Sequence, residues 1–428
     1  MKKFTSQEIK EFVSKPHFDE KVVYSYRNKI LKEKKILYIA PYVNKYIKEK
    51  RKISDDQIYQ AGKSKIEGIC SALNKAGFNV DILSPIGIKG NFVTNVINKC
   101  DYTFNKDKSS VFYPASINIE NLIGRYLFLI TMTLSTLVRL IKRNVYIGCI
   151  FYNFTPQTAI PAFFFKLITQ KPIIIEYEDD YSHFDYNFFY KYFDRFFSKA
   201  VNKFLNGAIC VNSRMYTKFN HLTSILVVRG VFDPVFYATD KRIGSKRIPK
   251  ILFSGSLNEM RGIDILIHAL ENITNRIEVI ITGKGPLEYL VRKGIQNPLV
   301  KLCYKGHVSY EEYIQLLKEV DIAISCYKTS HSMNNHIFPS KIIEYMAYGK
   351  IVITSKVSDI NTIREKDIFI FYEEDNPKHL ASVIDRVASN LEYYKKYGDK
   401  ARHWVEENCS TDGLAVKLKK YIIDLCRL

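Results

Sequence analysis

A chain of 428 residues is too long for one ordinary core, so two domains are the starting expectation. With 46% hydrophobic and 25% charged residues it belongs among globular proteins and not disordered ones. Its eight cysteines form no CxxC and no Cys/His zinc spacing, which argues against a zinc module; buried free thiols in a reducing compartment explain them.

The net charge of +20 is unevenly placed. Residues 1–230 hold 35 Lys+Arg against 19 Asp+Glu, and residues 231–428 hold 29 against 25. A partner that meets only the first half is implied, with nucleic acid and an anionic membrane surface as candidates. Residues 1–34 form an N-terminal extension that carries charge but no apolar h-region, so a cytoplasmic protein is expected.

From residue 35 onward, short apolar runs alternate with helical patterns. KILYIA (35–40), NVDIL (79–83), IGCIFY (147–152), PIIIEY (172–177), GAICV (207–211) and SILVV (224–228) read as strands of a first domain, 35–230. A polar, Gly/Pro-bearing linker follows at 231–249. KILFS (250–254), IEVIIT (277–282), VKLCY (300–304), DIAIS (321–325), KIVITS (350–355) and IFIFY (368–372) are the strands of a second domain, 250–410. Helices are expected near 262–271, 286–293, 309–319 and from about 339. A C-terminal helix, 411–428, is placed to return toward the first domain. The fold class is α/β, with two Rossmann-like doubly wound domains facing a cleft. Ligands bind such sheets at the carboxyl ends of the strands.

Two segments of the second half carry chemistry. In FSGSLNEMRGIDILIHAL (253–270), a strand ends in Gly255 and Arg261-Gly262 opens a helix. Glycine lets backbone approach a ligand, and arginine offers a fork for phosphate oxygens at a helix N-terminus. In HIFPSKIIEYMAYGKIVIT (336–354), Pro339 suits the first helical position and Gly349 the C-terminal cap. The N–H groups of Ser340 and Lys341 are then free for an anion, and Glu344 follows one turn later as an acceptor for ribose hydroxyls.

GSL…RGID, ITGKGP, YKGHVSYEEYIQLLKEVDIAIS and FPSKIIEYMAYGKIVITS, in that order and spacing, resemble the C-terminal half of family 4 retaining glycosyltransferases. The resemblance implies a GT-B fold, a nucleotide-diphosphate-sugar donor and no metal or other cofactor. It gives Arg261 the diphosphate and Glu344 the ribose. A second basic residue usual after the strand-end glycine is replaced by Ser256, with Lys284 or Lys341 as substitutes. The first of the family's two glutamates, which contacts the transferred sugar, is replaced by His336. Gly283 and Gly285 fit a backbone turn above the nucleotide, and His307 stands where the family holds the base. The FPSK-x-x-EYMAYGK variant resembles a subgroup that decorates surface polysaccharides or their lipid-linked precursors.

On the acceptor side, YQAGKSKIEGICSALNKAGFNVDIL (59–83) resembles the family's first glycine-rich loop, with Gly62 approaching the donor phosphates. PIIIEYEDDYSHF (172–184) ends a strand in three carboxylates. Glu178 stands where the family often places a histidine, and Asp179 aligns with a frequent aspartate; with Arg261 these are the catalytic candidates. A hard-ion site built from Glu178, Asp179 and Asp180 is the alternative, and loop capping the structural one.

Residues 122–143 pair apolar faces with Arg139, Lys142 and Arg143, and 184–204 interleaves rings with Lys191, Arg195, Lys199 and Lys203. Both fit a helix lying on an anionic membrane, against internal packing as the plainer reading. The leading reading is a membrane-peripheral transferase acting on a glycan or lipid-linked acceptor. A non-catalytic nucleotide-sugar-binding subunit of an assembly complex and an epimerase are the alternatives; nucleic-acid binding ranks last, for want of a recognition motif.

Overall fold

The computed structural model describes residues 35–50, 60–85, 98–102, 109–113, 129–130, 133–134, 136–138, 145–178, 192, 195–197, 199–233, 248–330, 338–363, 365 and 367–427. Residues 1–34, 234–247, Asp179, Asp180, Lys191 and His336 lie outside them.

The first half folds as β1 (Lys35–Ile39), α1 (Lys45–Lys50), α2 (Gln60–Lys75), β2 (Asn79–Leu83), β3 (Asn98–Tyr102), β4 (Ser109–Tyr113), β5 (Tyr146–Tyr152), α3 (Pro156–Thr169), β6 (Ile173–Tyr177), β7 (Gly207–Cys210) and β8 (Ile225–Val227). The sheet order is β3-β4-β2-β1-β5-β6-β7-β8, and every neighbouring pair is parallel except β3 with β4. All five residues of β6 are buried; the apolar Ile173–Ile175 suit a parallel sheet that helices can cover on both faces, and Glu176 is the one ionisable carboxylate among them.

The second half folds as β9 (Lys250–Ser254), α4 (Ile263–Leu270), β10 (Ile277–Thr282), α5 (Glu288–Lys293), β11 (Val300–Gly306), α6 (Tyr310–Glu319), β12 (Ile322–Ser325), α7 (Ser340–Ala347), β13 (Ile351–Thr354), β14 (Ile370–Phe371), α8 (Pro377–Ala388), α9 (Leu391–Asn408) and α10 (Thr411–Cys426). Its sheet is wholly parallel, in the order β11-β10-β9-β12-β13-β14. The chain therefore reverses its direction of travel between β9 and β12, and in the first sheet between β1 and β5. Such switch points open a crevice at the carboxyl ends of the strands.

Helix α10 lies on the first domain. Leu414, Leu418 and Ile422 share a buried core with Ile66, Ile69 and Leu73 of α2, and the Tyr421 hydroxyl donates to the Ala208 carbonyl at 3.0 Å. The Thr411 N–H donates to Asp233 Oδ1 at 2.7 Å, and Lys75 pairs with Asp412 at 2.9 Å. A second tie is the Asp359 carboxylate, fully buried in the loop after β13. Arg229 Nη2 and the Ser213 N–H, both from the first domain, donate to its Oδ2 at 2.7 and 2.8 Å.

Replacing one partner of a buried ion pair strands the other charge. Asp359→Ala is expected to cost about 3–5 kcal/mol and to lower the urea midpoint of unfolding; an unchanged midpoint would show that Asp359 does not hold the domains together.

Candidate functional site

The site begins at the switch point of the second sheet. Beyond β9, the Gly255 N–H donates to the Thr282 carbonyl at 3.1 Å and the Leu257 N–H to the Lys284 carbonyl at 2.9 Å. The Gly283 N–H donates to the Gly306 carbonyl at 2.7 Å. These bonds lay the exits of β9, β10 and β11 side by side. Gly283 has φ +126°, and a Cβ there would stand 1.8 Å from the Gly255 oxygen, so no side chain fits at that position.

Arg261 is fixed by its neighbours. Its N–H donates to Asn258 Oδ1 at 3.0 Å, and its guanidinium lies over the Tyr327 ring at 4.3 Å, a cation–π contact. Gly262, at φ +68°, packs on the Cys326 carbonyl. Lys328 reinforces the junction by pairing with Asp264 at 2.6 Å. Arg261 thus rides from the exit of β9 to the exit of β12.

Helix α7 supplies the next groups. Pro339 takes the N-cap with φ −70° and ψ 87°, one residue earlier than the first helical position expected of it. Ser340 is exposed at the helix start. The helix ends at Gly349, with φ +63°; its N–H donates to the Met346 carbonyl at 2.8 Å. Ile342, Ile343, Tyr345, Met346 and Ala347 are buried, which leaves Lys341 and Glu344 on one half-buried edge, 4.0 Å apart. The Lys341 ammonium sits 3.8 Å from the Tyr313 ring centre. Burial lowers its pKa; Glu344 opposes the shift and the nearby Arg261 charge adds to it. Burial and the Glu344 carboxylate push the Tyr313 phenol well up. Two cations therefore crowd one carboxylate, an arrangement that favours an added anion.

Arg261, Lys341 and Glu344 are brought together. Ser256, Lys284 and His307 are exposed along the exits of β9, β10 and β11. Of the two lysines weighed as replacements for the cation missing at Ser256, Lys341 lies beside Arg261. The charge of Lys284 falls instead on Glu288, whose carboxyl is held below its usual range first by a hydrogen bond from Arg292.

Across the cleft, Glu178 follows β6 and its N–H donates to Asn153 Oδ1 at 2.8 Å. Its carboxylate pairs with Lys65 of α2, with both side chains largely buried. Lys65 also donates to the Val228 carbonyl at 2.8 Å. Two residues on, Gly230 packs so closely on Ile343 of α7 that a Cβ would meet it at 3.3 Å. Buried Gly62 lies one turn before Lys65 on the same helix. Lys65 carries no sequence signal of its own: a lysine on an amphipathic helix reads as solvated, and its partner is 113 residues away. The same is true of Tyr313 and Tyr327, which read as core. Asp179 and His336 lie outside the described residues, as does part of the carboxylate ion-site alternative. Among the described residues no group of three or more His, Cys, Asp or Glu is placed to hold a metal ion.

Glu176 is fully buried beneath this cluster, where Tyr38 donates to its Oε2. Burial, then the Glu178 charge, raises its pKa well above the ordinary 4.5. The folded state therefore holds a proton that the unfolded chain releases above about pH 4.5, and stability falls as pH rises from there toward the folded pKa. Glu176→Gln keeps an acceptor for Tyr38 and removes the titration. Unfolding free energies from urea titrations at pH 5 to 8 should fall with pH in the wild type, by up to about 1.4 kcal/mol per pH unit, and less in the variant; equal slopes would contradict a buried neutral Glu176.

Residues 239–404 match the family model described as glycosyl transferases group 1. Over 175 residues the chain is 28% identical to the uncharacterized glycosyltransferase MJ1607 of Methanocaldococcus jannaschii, covering 39% of this chain and 42% of that protein. Over 178 residues it is 25% identical to MJ1069 of the same organism, covering 40% and 44%. The chain thus matches under half the length of these relatives. Among solved structures it is similar to Anabaena Alr3699/HepE in complex with UDP, at TM-score 0.62 and 14% identity over 91% of this chain and 100% of that one. The lipopolysaccharide outer core galactosyltransferase WaaB gives 0.59 and 12% over 91% and 99%; TarM gives 0.61 and 11% over 91% and 98%. The two facing α/β domains have the GT-B fold of these solved structures, and the group 1 model falls on the domain that carries Arg261, Lys341 and Glu344.

Proposed function

We propose that the protein is a retaining glycosyltransferase that moves a sugar from a nucleotide-diphosphate-sugar to a glycan or lipid-linked acceptor in surface polysaccharide assembly. The observation that carries this reading is the crowding of Arg261 and Lys341 around the single carboxylate of Glu344 at the switch point of the second sheet. A diphosphate supplies the missing negative charge, and Glu344 is left to accept from ribose hydroxyls. UDP and UDP-glucose in complexes of the Anabaena neighbour support the same donor class.

In the transfer, an acceptor hydroxyl oxygen bonds to the anomeric carbon as the bond from that carbon to the diphosphate oxygen breaks. The diphosphate leaves with the electron pair, and the proton of the hydroxyl passes to the departing diphosphate oxygen. Arg261 and Lys341 stabilise the charge growing on the leaving group, the role in which preorganised cations contribute most. Glu178, on the opposite wall with Lys65, orients the acceptor or the sugar. No protein nucleophile is assigned.

The first domain is the side we assign to an anionic membrane, on the inner face of the cell membrane. Tyr192 and Phe196 stack at 6.4 Å and are both exposed, with Arg195, Lys199 and Lys203 exposed beside them in sequence. Ile130, Leu134 and Val138, at helical spacing, are 53%, 55% and 49% exposed. No helix of the described residues is long and apolar enough to cross a membrane. Rings and cations together suit the headgroup region.

Arg261→Ala should weaken uridine or guanosine diphosphate binding in calorimetry about ten-fold or more, the loss of a charge-assisted hydrogen bond; unchanged affinity removes Arg261 from the site. Glu178→Gln should spare nucleotide binding and impair turnover. In co-sedimentation, anionic vesicles should pull down the wild type at low salt and release it at high salt, whereas the variant with Lys191, Arg195, Lys199 and Lys203 replaced by Glu should stay in solution. Equal behaviour with neutral vesicles contradicts the electrostatic docking.

A further inference from the structure

A cavity of about 500 Å³ opens at the carboxyl ends of β7, β12, β13 and β14. It is lined from both domains. Arg214, after β7, forms one wall; Thr329 and Ser330, after β12, and Lys356 and Asn361, after β13, form the other. Glu374 and Asp375, after β14, complete it. The Asp359 clamp assembles these walls, because Ser213, next to Arg214, donates to the carboxylate that sits between Lys356 and Asn361 in sequence. The cavity is continuous in sequence with the anion cluster: Tyr327 lies under Arg261, and Thr329 stands two residues on.

The lining chemistry selects a ligand class. Every lining residue is polar or charged, and none offers a ring on which a base could stack. The two cations are balanced by two carboxylates, so the cavity has no surplus charge for a free phosphate. Thr329 Oγ1 donates to Glu374 at 3.2 Å and the Ser330 N–H to Asp375 Oδ2 at 3.4 Å, which sets the acceptor groups along the wall. Asp375 Oδ1 is buried with no hydrogen-bond partner from the described residues, a state that calls for a water or ligand donor. Carboxylates, an amide, hydroxyls and cations in one cavity of this size match the alternating donors and acceptors of a sugar ring.

We infer that this cavity is a saccharide subsite for the acceptor, holding one or more neutral sugar residues on the side of Tyr327 away from the donor diphosphate. The inference rests on the glycosyltransferase reading for the word acceptor; the binding of saccharide stands without it.

The test is saturation-transfer NMR on the full chain with a panel of methyl glycosides of hexoses, N-acetylhexosamines and uronic acids, recorded with and without uridine diphosphate. At least one neutral glycoside should bind. Asp375→Asn and, from the opposite wall, Arg214→Ala should each weaken that glycoside about ten-fold while leaving uridine diphosphate affinity and the thermal midpoint unchanged. The inference is overturned if no glycoside binds, if both variants bind it as the wild type does, or if inorganic phosphate displaces it. Absence of uridine diphosphate binding with saccharide binding intact strikes the donor reading alone, so the two failures are distinguishable.

Discussion

Gly262 lies so close to the Cys326 carbonyl that an added Cβ would stand 1.9 Å from the oxygen. That contact joins the exit of β9 to the exit of β12, the two strands between which the second sheet changes direction. Because the loop is pinned there, Arg261 is laid over Tyr327 and comes within range of Lys341 and Tyr345 on and beside the edge of α7. A larger residue at 262 would lift the loop and move the guanidinium away from the helix. The positive φ of 68° adds a second reason for glycine at this place.

The same economy governs the opposite wall. Lys65 satisfies Glu178 and the Val228 carbonyl at once, so α2, β6 and β8 converge where Gly230 meets α7. The cleft is thereby bounded by a cation-rich side and a carboxylate-bearing side. Helix α10 and the Asp359 clamp tie the domains at separate places. A reaction that needs donor and acceptor held on opposite walls depends on both ties.

Most of the sheet strands were legible because burial on two faces forces continuous apolar runs. β2, β9 and β10 fall where NVDIL, KILFS and IEVIIT place them. IFIFY contracts to Ile370–Phe371, at the edge of the sheet where pairing is with one neighbour. The β3–β4 hairpin was not legible: NKCDY and SSVFY are too polar to show an apolar run, and the antiparallel strand is an edge. In the candidate site, Arg261 and Glu344 were singled out by local helix-start patterning, and the charge of Lys341 only through the family resemblance, as one of two substitutes for the cation missing at Ser256. Lys65, Tyr313 and the cavity around Arg214 were not, since each gains its meaning from a partner distant in sequence.

The proposed donor site makes the Arg261–Lys341–Glu344 cluster the holder of a nucleoside diphosphate. A crystal structure grown with uridine diphosphate is the sharpest test. Pyrophosphate density is expected against Arg261 and the first N–H groups of α7, with a ribose hydroxyl at Glu344. Pyrophosphate bound elsewhere, with Arg261 still over Tyr327 and no ligand beside it, would rule that site out.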